Sequence, residues 1–174
     1  YNVKNTYAPG ETSVSVTKKW EDSNNQDGKR PGSIQVQLYA DGTVQGTPVE
    51  LNESNNWTYT WSKLPAKSNG NSIDYTVKEV NEENGKVSFD GSEYTVAVTG
   101  DAETGYVITN SHVPETVDIE GSKTWDDAGN EGARPKSIKI SLYADGTLKE
   151  NKSIEADKDG NWSWKFTGLP KYKA

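Results

Sequence analysis

The sequence predicts an all-β protein made of tandem β-sandwich domains, and three observations support this prediction. Apolar and polar residues alternate over short segments, as in strands that bury one face and expose the other. Asp-Gly and Asn-Gly pairs, which favour tight turns, separate these segments. An ordered set of motifs also occurs twice at an offset of about 105 residues, which indicates duplicated domains.

Each strand is predicted from its own alternating run. The alternating positions are, in chain order, Val14, Val16, Lys18 and Trp20; Ile34, Val36 and Leu38; Trp57, Tyr59 and Trp61; Tyr75, Val77 and Glu79; Tyr94, Val96 and Val98; and Tyr106, Ile108 and Asn110. About seven strands in about 100 residues are typical of a sandwich with an immunoglobulin-like outline. No segment favours a helix longer than a turn or two.

The repeat also predicts the domain organisation. Residues 16–22 recur as residues 121–127, and residues 1–9 match residues 106–114. No later segment corresponds to residues 70–114 of the first set of motifs. We therefore expect three parts: the last strand of a preceding repeat with its linker over residues 1–10, a complete domain over residues 11–114, and a second, C-terminally truncated domain over residues 115–174.

The composition indicates small cores weighted towards aromatic residues. Leu, Ile, Val and Phe make up about 17% of the chain and the formal net charge is −7, which approaches the composition of disordered chains. Six Trp and nine Tyr compensate for this, because aromatic side chains bury the most area per residue. We therefore expect folded domains.

The same composition excludes several functional classes. No apolar run exceeds three residues, so we expect neither a membrane span nor a signal-peptide core in this segment. The acidic balance argues against nucleic acid as a partner. The chain has no Cys and one His, His112, so thiol catalysis, a serine-type triad and a His-based metal site have little to build on. We expect no cofactor and no metal.

Three polar residues share the apolar phase of their strands. Lys18 belongs to the first strand, Glu79 to a middle strand and Asn110 to the last. In a sandwich all three would project between the sheets, where burying them is costly unless they are paired. The lysine position recurs in the second repeat as Lys123, and the asparagine position recurs near the N-terminus as Asn5.

Two interpretations of these residues remain open. Each could lie at a strand end with its polar group in solvent. Alternatively, burial could lower the pKa of the Lys amine, which makes it a nucleophile, and raise the pKa of the Glu, which keeps it protonated. The acid would then donate to the Asn carboxamide oxygen. Attack of the amine with loss of ammonia would join the first and last strands in a single turnover.

The chain resembles the B-type repeats of Gram-positive collagen adhesins, the Cna B-type domains, which are immunoglobulin-like and prealbumin-like β-sandwiches. The resemblance covers nearly the whole chain and rests on residues 9–13, 16–22, 25–31, 51–57, 75–79 and 108–110. It implies an intramolecular isopeptide bond between Lys18 and Asn110, promoted by Glu79 as the acid. Lys123 and Asn5 are then orphan halves of further crosslinks.

The resemblance also implies a function. It indicates a structural stalk or spacer repeat of a secreted surface protein on the cell wall of a Gram-positive bacterium, with a part in cell adhesion and virulence. The expected partners are neighbouring repeats of the same adhesin, and a host matrix protein such as collagen through a separate head domain. We expect a monomer and no turnover enzyme. The alternative is that the repeat itself binds matrix protein or glycan.

Three further features have competing interpretations. Residues 22–28 contain the acidic and amide side chains of a calcium loop, but the spacing departs from the EF-hand pattern and favours a polar turn. Trp57, Tyr59 and Trp61 could form a platform for a sugar, although their alternate spacing favours a place in the core. His112 follows the last strand beside a proline and is predicted to be solvated.

Overall fold

A computed structural model describes residues 1–6 and 8–173 of the chain. The chain forms two compact units, one of Tyr1–Pro114 together with residues 172–173 and the other of Glu115–Lys171. Residues 1–6 and 8–10 are exposed and none of them lies in a strand. Their assignment to the last strand of a preceding repeat stays a prediction, and Tyr7, which takes part in the sequence match, lies outside the described residues.

The first unit is built from short strands joined by tight turns. Its strands are β1 (Glu11–Glu21), β2 (Ser33–Ala40), β3 (Thr43–Asn52), β4 (Thr58–Pro65), β5 (Lys67–Ser68), β6 (Asn71–Ser72), β7 (Tyr75–Glu79), β8 (Lys86–Phe89), β9 (Ser92–Asp101) and β10 (Gly105–Ser111). A 3-10 helix over Glu53–Asn55 links β3 to β4. The prediction that the chain has no long helix is confirmed for the described residues.

Two sheets of this unit form a sandwich. One sheet has the strand order β4-β1-β10-β9-β8 and the other has the order β3-β2-β7, while β5 and β6 form a separate small hairpin. The first and last strands, β1 and β10, are parallel neighbours, and the remaining pairings are antiparallel. The predicted all-β sandwich is therefore confirmed.

The core lies between the two sheets. Val14 and Val16 of β1 and Ile108 of β10 pack from one side, and Val36 and Leu38 of β2 pack from the other. All five are at most 1% exposed. Burial of such side chains contributes about 1.5–3 kcal/mol each, so this narrow layer holds much of the apolar stabilisation.

The sequence pattern missed β3 and β8 and placed two residues wrongly. Pro48 lies in β3, which is an edge strand, the position in which a sheet tolerates proline. Tyr59 and Val98 were expected to face inward but are 40% and 44% exposed. Tyr59 lies in the edge strand β4, and Val98 lies beyond the part of β9 that β8 covers. The alternating pattern therefore identifies the buried face of a strand only where neighbouring strands cover both of its edges.

The second unit contains β11 (Thr116–Lys123), β12 (Ile138–Ala144), β13 (Thr147–Ile154) and β14 (Trp162–Pro170). A 3-10 helix spans Glu131–Ala133. The strands pair antiparallel as β11 with β14 and as β12 with β13. Ile154, Trp162 and Phe166 are its buried apolar side chains. No helix among the described residues of either unit is long and apolar enough to cross a membrane.

Candidate functional site

Three strands bring Lys18, Glu79 and Asn110 together inside the first unit. Lys18 lies in β1 and Asn110 in β10, and the register of this parallel pair sets Lys18 beside Ile108 and Trp20 beside Asn110. Glu79 is the last residue of β7 in the other sheet. The three side chains therefore meet between the sheets.

A single carboxyl group contacts both the amine and the amide. Lys18 Nζ lies 3.6 Å from Glu79 Oε2, and Asn110 Nδ2 donates a hydrogen bond of 2.9 Å to Glu79 Oε1. Lys18 Nζ also donates to the carbonyl oxygen of Lys19 at 3.2 Å. Neither Glu79 Oε2 nor Asn110 Oδ1 has a hydrogen-bond partner among the described residues. Each atom thus keeps a lone pair available inside the site.

The site is closed to solvent. Lys18 is 4% exposed, Glu79 is 1% exposed and Asn110 is fully buried. The interpretation in which these three groups reach solvent at strand ends is therefore wrong. Burying an amine and a carboxyl group together costs several kcal/mol per ion unless the charges are neutralised or well paired.

Burial moves the two pKa values towards each other. It lowers the pKa of the Lys18 amine to about 8, and the charge and hydrogen bond of Glu79 oppose this effect only in part. Burial also raises the pKa of Glu79, against the opposing charge of Lys18 and the hydrogen bond from Asn110. Transfer of one proton from Lys18 to Glu79 would turn the ion pair into a neutral amine and a carboxylic acid, the pair that nucleophilic attack requires.

The amide of Asn110 has a different orientation from the one expected. A protonated Glu79 was expected to donate to the carboxamide oxygen, whereas here the Asn110 amide nitrogen donates to Glu79. This arrangement suits a carboxylate, which can only accept hydrogen bonds. A half-turn of the amide would present Oδ1, which has no partner among the described residues, to the acid once Glu79 is protonated.

Aromatic side chains form one wall of the site. Lys18 Nζ lies 4.3 Å from the centroid of the Trp20 ring, within the range of a cation–π contact. Trp57, Phe89 and Tyr94 each meet Trp20 edge to face, at centroid distances of 5.5–5.8 Å. This cluster excludes water from the amine, which accounts for the burial that shifts its pKa.

The structure does not bring the two orphan residues into such a site. Lys123 is exposed, lies 4.3 Å above the Trp125 ring and donates to the Thr124 carbonyl oxygen. This repeats the local geometry of Lys18, Trp20 and the following carbonyl. Asn5 is exposed and lies outside any strand. Only three of the five predicted residues therefore meet.

Residues 22–28 form a turn, as their spacing favours, and its first carboxylate is occupied by an arginine. Arg30 donates from Nε to Asp22 Oδ2 at 3.0 Å and from Nη2 to Asp22 Oδ1, and the backbone N–H of Asn25 donates to the same carboxylate. Among the described residues no cluster of acidic or histidine side chains could hold a metal ion. This pair was not predicted from the sequence, although Asp127 and Arg134 repeat it in the second unit.

Two further expectations are corrected in part or in full. His112 is not solvated, because its side chain is only 12% exposed and both ring nitrogens lie within hydrogen-bond distance of an oxygen atom. Trp57 and Trp61 are partly buried against the core, as expected. Tyr59 is exposed and meets Trp61 edge to face at 5.1 Å, so the two rings do not form a flat platform for a sugar.

Comparison with known proteins identifies the family. The family model of the Cna protein B-type domain matches residues 14–111 and again residues 119–174. The chain belongs to the Cna B-type domain family. It is 44% identical over 171 residues to the collagen adhesin of Staphylococcus aureus. This match covers 98% of the chain but only 14% of that protein. The chain thus spans about one seventh of the curated relative that it matches.

A solved structure agrees with this assignment. The crystal structure of two B repeat units of the collagen binding protein of S. aureus matches with a TM-score of 0.81 and 42% identity. The match covers 96% of this chain and 42% of that one. This Cna B-type chain therefore shares the β-sandwich fold of adhesin repeat units. These relatives are described as adhesin or collagen-binding proteins, not as enzymes.

Proposed function

We propose that this Cna B-type chain is a stalk segment of a surface adhesin and that an isopeptide bond between Lys18 and Asn110 closes its complete domain. The observation that carries the proposal is the contact of one buried carboxyl group, that of Glu79, with both the amine and the amide. A buried lysine, glutamate and asparagine with free lone pairs are costly as a permanent core. Their conversion into a neutral amide removes that cost.

The reaction balances without any co-reactant. Lys18 transfers a proton to Glu79, and the neutral Nζ attacks Cγ of Asn110. A bond forms between Nζ and Cγ, the bond between Cγ and Nδ2 breaks, and Nδ2 leaves as ammonia. Glu79 protonates the amide during attack and regains the proton that Nζ loses. Glu79 ends as a neutral carboxylic acid because one of the protons that began on Lys18 stays on it. The crosslink is permanent, so the chain acts once and does not turn over.

The position of the crosslink suits a load-bearing spacer. Lys18 and Asn110 lie in the first and last strands, which are parallel neighbours in one sheet. Tension applied at the two ends of the unit reaches these strands first, and the covalent bond carries it past the residues between them. The chain therefore holds a separate head domain away from a Gram-positive cell wall, with neighbouring repeats as its direct partners and a matrix protein such as collagen bound by the head.

The intact mass of the purified chain tests the crosslink. We expect a mass lower than the sequence value by one ammonia, and peptides containing Lys18 and Asn110 that stay joined after proteolysis. The Asn110→Ala variant should have the full mass of its sequence, while Asn5→Ala should lose one ammonia like the parent chain. A parent chain of full mass would overturn the proposed bond.

A further inference from the structure

His112 is held at the point where the chain leaves the first unit. It follows β10 directly, and the next residue, Val113, is 87% exposed. The backbone N–H of His112 donates to the carbonyl oxygen of Glu21 at 2.9 Å. Its ring lies 4.9 Å from the Tyr94 ring, tilted by 31°. The side chain is thus packed into the unit although the backbone is about to leave it.

Both ring nitrogens of His112 face hydrogen-bond acceptors. Nδ1 lies 3.0 Å from the carbonyl oxygen of Glu93, and Nε2 lies 3.0 Å from Asp27 Oδ2. A carbonyl oxygen and a carboxylate can only accept, and a neutral imidazole carries one N–H. Both contacts are satisfied together only when the ring is the imidazolium cation. A proton on Asp27 instead would leave the stronger acid protonated beside the stronger base.

The surroundings of the ring support a positive charge. Asp27 comes from the turn between β1 and β2, and its side chain is 2% exposed. Asp22, at the start of the same turn, adds a smaller effect of the same sign, because its carboxylate is paired with Arg30. The carboxylate of Glu93 points to Lys86 at 2.8 Å, and that of Glu21 accepts from Ser111 at 3.1 Å. The cations of this region, Arg30 and Lys86, are directed at Asp22 and Glu93, so that Asp27 is the charged group in contact with the ring.

We propose that His112 and Asp27 form a buried, proton-dependent ion pair that fastens the turn between β1 and β2 to the exit of β10. The pair joins two segments that are far apart in sequence. It holds the chain by the side chain of His112 directly before the exposed Val113. Loss of the proton removes one of the two hydrogen bonds and the charge attraction together. The exit segment is then held by its backbone hydrogen bond to Glu21, by one ring hydrogen bond and by the contact with Tyr94.

The direction of the pH effect follows from the contacts. Burial lowers the pKa of His112, but the hydrogen bonds to Asp27 and to the Glu93 carbonyl outweigh it, so that the pKa lies above its ordinary value of 6.5. A raised pKa in the folded state contributes stability that is complete below pH 6.5 and is lost as the pH rises through the folded value. The ion pair is therefore formed at low pH and is lost as the pH rises through the folded pKa of His112.

The sequence match contains this pair only in the first unit. In the sequence match that sets residues 1–9 beside residues 106–114, the position of His112 is taken by Tyr7. A tyrosine has an ordinary pKa near 10 and carries no positive charge. The match thus supplies no second copy of this ion pair in the chain.

Titration by NMR tests the proposal, because His112 is the only histidine and gives a single set of imidazole signals. We expect a pKa above 6.5 in the parent chain, with both ring nitrogens in the protonated form below it. Asp27→Asn should lower the pKa to 6.5 or less. Glu93→Gln, which changes a carboxylate directed at Lys86 and not at the ring, should leave it nearly unchanged.

A stability measurement gives a second readout that does not depend on the crosslink. In a Glu79→Ala background, the melting temperature lost on His112→Gln should be largest near pH 5.5 and shrink as the pH rises above the folded pKa. A parent pKa of 6.5 or below, an equal pKa in Asp27→Asn, or a loss independent of pH would each overturn the proposed ion pair. Failure of the crosslink in the parent chain would leave these outcomes unaffected.

Discussion

Glu79 Oε1 accepts a hydrogen bond of 2.9 Å from Asn110 Nδ2, and the other oxygen of the same carboxyl group lies 3.6 Å from Lys18 Nζ. One side chain from the second sheet thus touches two side chains from neighbouring strands of the first. In this arrangement a single group can take a proton from the amine and deliver it to the amide. The proposed chemistry therefore depends on how the two sheets are packed as well as on the strands themselves.

Glu79→Gln separates the contacts of this residue from its acidity. The amide keeps the size and a hydrogen bond to Asn110 but cannot exchange a proton with Lys18, so we expect the chain to keep its full mass. A crosslink that closes a loop of this length is worth about 4.6 kcal/mol in chain entropy, and chemical denaturation should show a loss of about that size. Glu82→Gln changes the neighbouring carboxylate, which pairs with Lys78, and should crosslink normally. Loss of ammonia from Glu79→Gln would contradict the acid's role.

The rate of crosslinking should pass through a maximum with pH. The reactive pair carries one proton shared between Lys18 and Glu79, and burial lowers the pKa of the amine to about 8 and raises that of the acid. Acid adds a second proton to the pair, and alkali above about pH 8 removes the last one, so the rate falls on both sides. For this measurement, a chain that has been kept unfolded in denaturant from its synthesis onward is diluted into buffers of different pH. Its mass is then followed with time. A rate that rises steadily to pH 10 would contradict the shared proton.

The alternating pattern predicted the site because the polar residues Lys18, Glu79 and Asn110 occupy apolar positions of their strands. It could also predict which face they share, since the side-chain period of a strand is two residues. It could not predict that β1 and β10 run parallel and adjacent, because pairing between distant strands leaves no trace in a local pattern. The orientation of the Asn110 amide was also beyond the sequence, as it depends on the protonation state of Glu79.

The burial of His112 could not be predicted from the sequence either. Its neighbours in sequence are a serine, a valine and a proline, which indicate an exposed exit from the last strand. The residues that bury it, Asp27 and Tyr94, come from a turn and a strand that are distant in sequence. A turn rich in polar residues usually faces solvent, so nothing local marks Asp27 as a buried partner.

Gly100 and Gly91 form a matched pair for testing the close approach of β9 and β10 beside the turn that joins them. Both have positive φ, 87° and 77°, which costs an alanine about 1–2 kcal/mol. A Cβ at Gly100 would lie 2.1 Å from the backbone oxygen of Gly105, whereas one at Gly91 meets nothing within 4 Å. We therefore expect Gly100→Ala to cost at least 2 kcal/mol more than Gly91→Ala in chemical denaturation. Equal losses would show that the turn relaxes around the methyl group.

Arg30→Ala should destabilise the first unit strongly. Asp22 is 2% exposed and Arg30 donates two hydrogen bonds to its carboxylate, so removing the guanidinium leaves a buried charge without its main partner. Such losses are about 3–5 kcal/mol. Arg134→Ala removes the corresponding arginine of the second unit, whose partner Asp127 is more open to solvent, and should have a smaller effect.

The dependence of stability on pH in the acid range tests the same pair, Asp22 and Arg30. Burial raises the pKa of Asp22, but the hydrogen bonds from Arg30 and the Asn25 backbone outweigh it, so the pKa lies below 3.8. A lowered pKa contributes stability that is present above 3.8 and is lost as the pH falls through the folded value. In Arg30→Ala this contribution is gone, so the difference between the parent chain and the variant should shrink below pH 3.8.

A double variant, Asp22→Asn with Arg30→Met, should recover part of the loss because it buries no charge. Failure of the double variant to recover any stability would show that packing by Arg30 on Trp20, and not the charge of Asp22, causes the effect.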